Sequence, residues 1–329
     1  MSLQERLGLE LPIVQAGLGG GLAGAELAAA VSRAGGLGTV ALSDPGRFAA
    51  ELRRARALAP GRPLAANLLM PFTRRAHVEA LTSAGADVAV LFCGFDRGAV
   101  ERLHEAGVLV LHQVGTEDQA RRALAEGADG LIAQGLQAGG HLLAELDTFA
   151  FLAKACALAD GRPVLAAGGI HDAQGVRRAL AAGAAGVVCG TRFLLTDECA
   201  AHPLYKRRVL DAKGTIETLL FSFGWYVRHR VVPNASTERW CARAPAGPRA
   251  ASLLNRLSEP LGRRMPLSVP APRMQLRHLP LYSPAPALTG MPDRVVEVTP
   301  LYAGECASEI HSVVPAARAV AELARGVQA

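Results

Sequence analysis

The chain has 329 residues, of which 50% are hydrophobic and 19% charged, and its formal net charge is +6. This composition excludes an intrinsically disordered chain and allows a large core. No apolar run reaches the roughly 18 residues that a membrane span needs, and the N-terminal residues lack the pattern of a secretory leader. We therefore expect a soluble, cytoplasmic protein that does not bind membranes.

Eight short apolar runs in the first two thirds of the chain predict β-strands. They are residues 12–16, 37–42, 64–69, 88–92, 108–113, 130–134, 163–168 and 186–190. Between them, Leu and Ala recur every three or four residues in Ala-, Arg- and Glu-rich segments, and several of these segments end in glycine. This periodicity predicts helices that alternate with the strands.

Strands that alternate with helices run parallel, and eight of them favour a closed (β/α)₈ TIM barrel over residues 1–202. A doubly wound open sheet is the alternative. The glycine-rich "GLGGGLAG" after the first strand does not match the dinucleotide-binding spacing typical of that sheet. The barrel is therefore the predicted fold.

The pattern changes after residue 202. Residues 203–262 are interpreted as helical and irregular, and residues 263–300 are Pro-rich and predict an extended crossing. We expect residues 203–300 to form a smaller, mostly helical lobe appended to the barrel. Residues 301–329 would return to the barrel, with a final helix at 312–326.

Residues 239–278 hold eight arginines and one acid. Two interpretations are a solvated surface and a docking site for an anionic partner. A nucleic acid is not expected, because aromatic residues are sparse there and no binding motif is present. The six cysteines lack zinc-like spacing, so no metal site is expected.

Glycine clusters follow four of the predicted strands, at residues 16–21, 134–141, 166–170 and 189–192. In a TIM barrel these positions lie at the carboxyl ends of the strands, where ligands bind. Glycines after the last two strands expose backbone N–H groups close to a helix N-terminus. This arrangement predicts a phosphate site.

The sequence resembles the FMN-dependent nitronate monooxygenases, formerly called 2-nitropropane dioxygenases, and the similar flavin-type enoyl-acyl-carrier-protein reductases. The likeness rests on segments that follow one another along nearly the whole chain. They include "PIVQAGLGGGLAG", "AANLLMPF", "HQVGTEDQA", "AQGLQAGGH", "PVLAAGGI", "GVVCGTRFL", "FGWYVRHRVVPNAS" and "LYAGECASEIHSVVPAA".

The resemblance implies that FMN is the cofactor and indicates which residues bind it. Gly17, Leu18 and Gly19 would lie against the flavin ring, and Gly139 would line the cofactor. Amide side chains would bond its polar edge or ribityl chain, namely Asn67, Gln113 and Gln134. The phosphate would lie against Gly168, Gly169, Val188, Cys189, Gly190 and Thr191.

His141 follows two glycines, and the resemblance implies that it acts on the acidic C–H of the substrate or positions the nitronate. A pKa near about 6.5 suits an imidazole for proton removal at neutral pH. His77, His104, His202 and His278 are expected to be structural. The chain departs from the usual family pattern at Gln137, Glu305 and Cys306, positions expected to face the substrate.

Three hypotheses follow. In the first, O₂ oxidises an alkyl nitronate, or the parent nitroalkane, to a carbonyl compound and nitrite with the help of FMN. In the second, NADH reduces an enoyl thioester, and the arginine-rich segment meets an acidic carrier protein. The third is a flavin-binding protein without turnover. The sequence leaves the oligomeric state open.

Overall fold

A parallel eight-stranded sheet closes on itself to form the centre of the molecule. The computed structural model describes residues 3–262, 264, 267, 275 and 278–327. The strands of the closed sheet are β1 (Ile13–Gln15), β2 (Gly38–Val40), β3 (Leu64–Leu69), β4 (Val88–Phe92), β5 (Leu109–Val114), β6 (Gly130–Gln134), β8 (Val164–Ala167) and β9 (Gly186–Cys189). Their order in the sheet is β1-β9-β8-β6-β5-β4-β3-β2.

Backbone hydrogen bonds between β1 and β2 close the barrel. The Leu37 N–H donates to the Ile13 carbonyl oxygen and the Gln15 N–H donates to the Leu37 carbonyl oxygen, both at 2.9 Å. Helices cover the outside of the strands, as expected for parallel strands joined by crossovers. They are α1 (Leu3–Leu7), α2 (Ala25–Arg33), α3 (Pro45–Leu58), α4 (Arg75–Ser83), α5 (Arg97–Glu105), α6 (Glu117–Ala125), α7 (Thr148–Leu158) and α8 (Ala173–Ala181).

The barrel interior is filled by branched apolar side chains. Val14, Val90, Leu111, Ile132 and Leu165 belong to one cluster there and are almost fully buried. Larger clusters lie between the strands and the helices. Because both faces of each strand are buried, the strands are nearly continuous apolar runs in the sequence. The predicted TIM barrel is confirmed, and each strand starts and ends within two residues of its prediction.

The appended lobe contains the predicted helices and a small sheet that the sequence analysis did not predict. The short helix α9 (Thr191–Leu194) follows β9 within the barrel part of the chain, and the helices of the lobe are α10 (Pro203–Leu210), α11 (Ala235–Cys241), α12 (Arg249–Leu257) and α13 (Glu259–Gly262). The sheet has the order β10 (Ile216–Thr218), β11 (His229–Val231) and β7 (Gly140–His141). Strands of two or three residues are too short to show a periodicity, and β7 lies in a barrel loop.

The end of the chain returns to the barrel. Helix α14 (Ala316–Ala324) is shorter than the predicted 312–326 and packs against α2 and α8. Part of the predicted extended crossing lies outside the described residues, and Asp293–Val298 forms a 3₁₀ helix. The domain boundaries at residues 202 and 300 stay predictions. Within the described ranges, no helix has both the length and the apolar character that crossing a bilayer requires.

One buried histidine of the barrel should make the stability of the protein depend on pH. His112 on β5 is 2% exposed and stacks on Phe95, with 4.6 Å between ring centroids. Burial lowers its pKa from 6.5 to about 4. Between those two pH values the unfolded chain binds a proton that the folded protein does not, so stability is complete above pH 6.5 and falls as the pH drops toward 4.

We therefore expect His112→Asn to flatten the decrease in the free energy of unfolding between pH 6.5 and pH 4, by at most about 1.4 kcal/mol per pH unit. Urea unfolding of both proteins at several pH values measures this slope. Equal slopes for the two proteins would show that His112 does not stay neutral in the folded state.

Candidate active site

A cavity of about 510 Å³ opens at the carboxyl ends of the barrel strands, and the lobe and the C-terminal segment cover it. It is the place where the fold class puts ligands. The residues singled out from the sequence come together there. Those on the wall are Gly17, Leu18, Gly19, Asn67, Gln113, Gln134, Gly139, His141, Gly168, Gly169, Val188, Gly190 and Thr191.

Cys189 is the exception among the predicted site residues. It ends β9, is paired in register with Gln15 of β1, and its side chain is fully buried in the core. Burial raises the pKa of its thiol far above the usual range. The Cys189 side chain therefore packs the core and does not face the cavity.

The loop that carries His141 is held from the lobe. Strand β7 pairs antiparallel with β11, with His141 opposite His229 and Gly140 opposite Arg230. The Arg230 guanidinium donates to the Leu136 carbonyl oxygen at 2.9 Å. Backbone pairing and this side-chain contact together fix the position of the loop.

Gln134 holds the same loop from the barrel side. Its Nε2 donates to the His141 carbonyl oxygen at 2.9 Å, and its Oε1 accepts from the Leu143 N–H at 2.8 Å. The resemblance implies that Gln134 bonds the flavin, whereas in the structure both ends of its amide bind the loop backbone and position the residues around His141.

Aromatic rings surround the His141 imidazole. Trp225 stacks on it with 3.9 Å between centroids and an angle of 26°. The Tyr302 and His229 rings lie at 5.3 and 5.6 Å. Trp225 also meets Phe72 edge to face at 5.3 Å. The imidazole is therefore restricted on several sides.

These surroundings keep His141 neutral. Burial, followed by the proximity of His229, lowers its pKa well below the usual 6.5. Its Nε2 is buried and has no hydrogen-bond partner among the described residues. At neutral pH the ring therefore has one bare nitrogen that can accept a proton.

Asn67 has a polar atom that no described residue satisfies. Its Nδ2 donates to the Val90 carbonyl oxygen at 3.1 Å, but its Oδ1 is buried without a partner in the described ranges. Gly17 lies against this side chain, because a Cβ there would be 2.4 Å from Asn67 Cβ. Gln113 is half-buried beside them on the cavity wall. The Asn67 Oδ1 is therefore free to accept a hydrogen bond from a group bound in the cavity.

The last two barrel strands end in backbone that suits an anion. Gly168 and Gly169 have φ values of +124° and +72°, which side chains rarely adopt. The Thr191 hydroxyl accepts from the Gly304 N–H at 2.9 Å and is also hydrogen-bonded to the Cys306 thiol, which lies on the same wall. Among the described residues, no Asp, Glu, Lys or Arg lines the cavity. An anion would thus be held by backbone groups and a hydroxyl.

The three positions that depart from the family pattern have different locations. Only Cys306 lies on the cavity wall. Gln137 accepts from the Thr148 N–H at 2.9 Å and donates to Asp147 at 2.8 Å, at the start of α7. Glu305 forms an ion pair with Arg230 at 3.0 Å. Gln137 and Glu305 do not line the cavity, and both are engaged in contacts that hold the loops together, so a role toward the substrate stays a prediction.

Sequence reasoning missed the part of the wall that the lobe and the C-terminal segment supply. Trp225 and Tyr302 lie against His141, and Gly304 lies beside Gly139. These residues belong to the segments "FGWYVRHRVVPNAS" and "LYAGECASEIHSVVPAA", which carried the resemblance but were given no role. The presence of both segments among the motifs shared with the family was the one feature of the sequence that could have pointed to these residues.

The histidines expected to be structural and the exposed arginines of the lobe lie outside the cavity wall. His77, His104 and His202 bond to the backbone or to Asp129, which fits a structural role. Exposed arginines stand on the lobe without a carboxylate within ion-pair distance in the described part of the chain: Arg239, Arg243, Arg249, Arg256 and Arg264. No group of three or more potential metal ligands occurs among the described residues.

Comparisons with known proteins identify the family of the chain. The sequence model of the family described as nitronate monooxygenase matches residues 2–90 and 73–256. The nitronate monooxygenase of Pseudomonas aeruginosa is 32% identical over 252 residues, 61% of this chain and 70% of that protein. The "(3aS,4S,5R,7aS)-5-hydroxy-7a-methyl-1-oxo-octahydro-1H-indene-4-carboxyl-CoA dehydrogenase" of Mycobacterium tuberculosis is 36% identical over 259 residues, 77% of this chain and 72% of that protein.

Two solved structures share the fold. A nitroalkane oxidase from Streptomyces ansochromogenes has a TM-score of 0.76 and 27% identity and covers all of this chain and 99% of its own. FabK from Thermotoga maritima has a TM-score of 0.78 and covers all of this chain and 96% of its own. At 24% identity, the likeness to FabK shows the fold alone. The chain therefore belongs to the nitronate monooxygenase family and is an oxidoreductase of the flavin type.

Proposed function

We propose that the protein is an FMN-dependent nitronate monooxygenase that uses O₂ to convert alkyl nitronates, and the parent nitroalkanes, to a carbonyl compound and nitrite. The observation that carries the proposal is the neutral His141 on a fixed glycine loop in the wall of the mainly apolar cavity. Membership of the family supports the same reaction.

The residues present fit FMN. The unpartnered Oδ1 of Asn67 would accept from an N–H on the polar edge of the flavin. Gly168, Gly169, Gly190 and the Thr191 hydroxyl would hold its phosphate where β8 and β9 end. When bound, FMN supplies the redox chemistry of the reaction, as acceptor of the substrate's electrons and donor to O₂.

His141 supplies the proton chemistry. A nitroalkane is oxidised only after it has lost the proton from the carbon next to its nitro group, and the neutral imidazole can accept that proton. A preformed nitronate has already lost it. Trp225, Phe72 and Phe92 make the surrounding wall apolar, which excludes water and favours alkyl substrates.

A second candidate is dehydrogenation or reduction of a thioester. The dehydrogenase from Mycobacterium tuberculosis is named for a carboxyl-CoA substrate, and a C–H next to a thioester carbonyl is also acidic. The exposed arginines of the lobe would complement the phosphates of CoA or an acidic carrier protein. The same His141 would then act on a different carbon acid.

We expect the purified protein to contain FMN, and Gly169→Asp to weaken its binding by at least about tenfold, because a carboxylate repels the phosphate. Gly169→Ala is the matched control, since it places the same Cβ at the same strained φ without charge, and it should keep clearly more flavin than the Asp variant. Mass spectrometry of heat-released cofactor and flavin absorbance measure both. FAD, or full flavin retention in the Asp variant, would contradict the assigned phosphate site.

His141→Asn should reduce kcat/KM with a neutral nitroalkane by about a hundredfold to ten-thousandfold, the range typical of losing a general base. The rate with the preformed nitronate should stay close to that of the unmodified protein, and the flavin content should be unchanged. Nitrite release measures the rate of oxidation of both substrates. An Asn variant that oxidises nitroalkanes at the parental rate would show that His141 does not remove the proton.

Mixing experiments distinguish the two candidates. With propyl-2-nitronate we expect O₂ uptake and nitrite release, and with crotonyl-CoA and NADH we expect no reduction of the thioester. A matched pair of charge reversals adds a second test. Arg256→Glu on the lobe and Arg53→Glu on α3 should leave the KM for nitronate equally unchanged. Rapid flavin reduction by NADH, with a raised KM for the thioester in Arg256→Glu only, would favour the second candidate.

A further inference from the structure

Two neighbouring buried histidines each have one ring nitrogen without a hydrogen-bond partner among the described residues. His141 and His229 are opposite each other in the pairing of β7 with β11, and their ring centroids are 5.6 Å apart. The Nε2 atoms of both rings are buried and have no hydrogen-bond partner among the described residues. Buried polar atoms are rarely left unpaired, so these two atoms need an explanation.

The tautomer of His229 follows from its single hydrogen bond. Its Nδ1 lies 3.0 Å from the Val227 carbonyl oxygen, and a carbonyl oxygen can only accept. The proton of His229 is therefore on Nδ1. The ring is fully buried, and burial lowers its pKa to about 4, so at neutral pH its Nε2 is a bare acceptor.

The second ring can complement the first. His141 lines the cavity while its Nε2 is buried, which leaves Nδ1 as the ring nitrogen available to the cavity. A proton on Nδ1 would leave two bare Nε2 acceptors on neighbouring buried rings. A proton on Nε2 would make His141 a donor next to the acceptor of His229, and one bridging water or a ring rotation would complete the hydrogen bond.

We propose that His229 is a positioning residue that holds the His141 proton on Nε2, so that Nδ1 is the nitrogen that accepts the substrate's proton. The assignment of the proton acceptor rests on the proposed function, whereas the tautomer of His141 does not. A histidine whose second nitrogen is fixed by a buried partner is a recurring arrangement in proton transfer.

The other polar side chains near His141 and His229 form hydrogen bonds or ion pairs with different partners. The Tyr302 hydroxyl donates to the Pro284 carbonyl oxygen at 2.8 Å, and Trp225 contributes a ring face. Arg228 and Arg230 flank His229, and both form ion pairs with Glu217, at 3.0 and 2.7 Å. Of the described groups packed against His141, His229 thus offers the bare acceptor.

The tautomer can be measured directly in the purified holoprotein. Long-range ¹H–¹⁵N correlation spectra of ¹⁵N-histidine-labelled protein at pH 7.5 separate the two neutral tautomers, and His141→Asn assigns the His141 signals. We expect the Nε2–H form for His141 and the Nδ1–H form for His229. An Nδ1–H form for His141 in the unmodified protein would overturn the proposal without any variant of His229.

Substitutions at His229 test the cause. His229→Leu removes the acceptor and should abolish the preference of His141 for the Nε2–H form, whereas His229→Gln supplies an amide oxygen and should restore part of it. His112→Asn, which alters another buried histidine, and Tyr302→Phe should leave the His141 signals unchanged. If His229→Leu does not fold, His229→Phe takes its place. A His141 tautomer that responds to Tyr302→Phe and not to loss of His229 would refute the inference.

Activity adds a second readout. His229→Leu should lower kcat/KM with a neutral nitroalkane by about tenfold to a hundredfold, and that with the preformed nitronate by no more than about twofold. Equal losses with both substrates would contradict a role in proton transfer. If the unmodified protein oxidises neither substrate, the proposed function fails while the tautomer measurement still decides the inference.

Discussion

The pairing of β7 with β11 is the contact on which the site depends. Two residues of the loop after β6 form backbone hydrogen bonds with the lobe, which places His141 opposite His229. A glycine-rich loop has high conformational entropy when it is free, so a histidine on it would have no fixed direction. The lobe removes that freedom and brings Trp225 onto the imidazole at the same time.

The C-terminal segment completes the enclosure by close backbone packing. A Cβ on Gly139 would lie 2.4 Å from the backbone of Ala303 and Gly304, so the two segments can touch only with glycine at this position. Arg230 connects the same three parts of the chain through Leu136, Glu217 and Glu305. Glycine therefore has two distinct roles in the cavity. It lets two protein segments pack closely, and where β8 and β9 end it leaves backbone groups exposed.

The charge distribution separates the cavity from the outer surface. The described cavity wall has no Asp, Glu, Lys or Arg, while the outside of the lobe is rich in arginine. In apolar surroundings the charged form of an imidazole is disfavoured, so His141 is neutral. The arginines outside would act on an approaching anion over a longer range, within about a Debye length of the surface.

The sequence by itself determined the barrel, because strands buried on both faces and amphipathic helices leave a periodic pattern in the chain. It also indicated the glycine clusters and the loop of His141, since the fold class dictates where strand ends meet, whereas Asn67 was indicated by the family resemblance. Only the tertiary structure decided what those residues contact. Trp225, His229 and Tyr302 reach His141 from segments that are at least 80 residues away in the chain, through strands too short to leave a pattern. Gln134 and Gln137 hold the backbone, and Cys189 faces the core, because side-chain direction depends on packing that spacing along the chain does not encode.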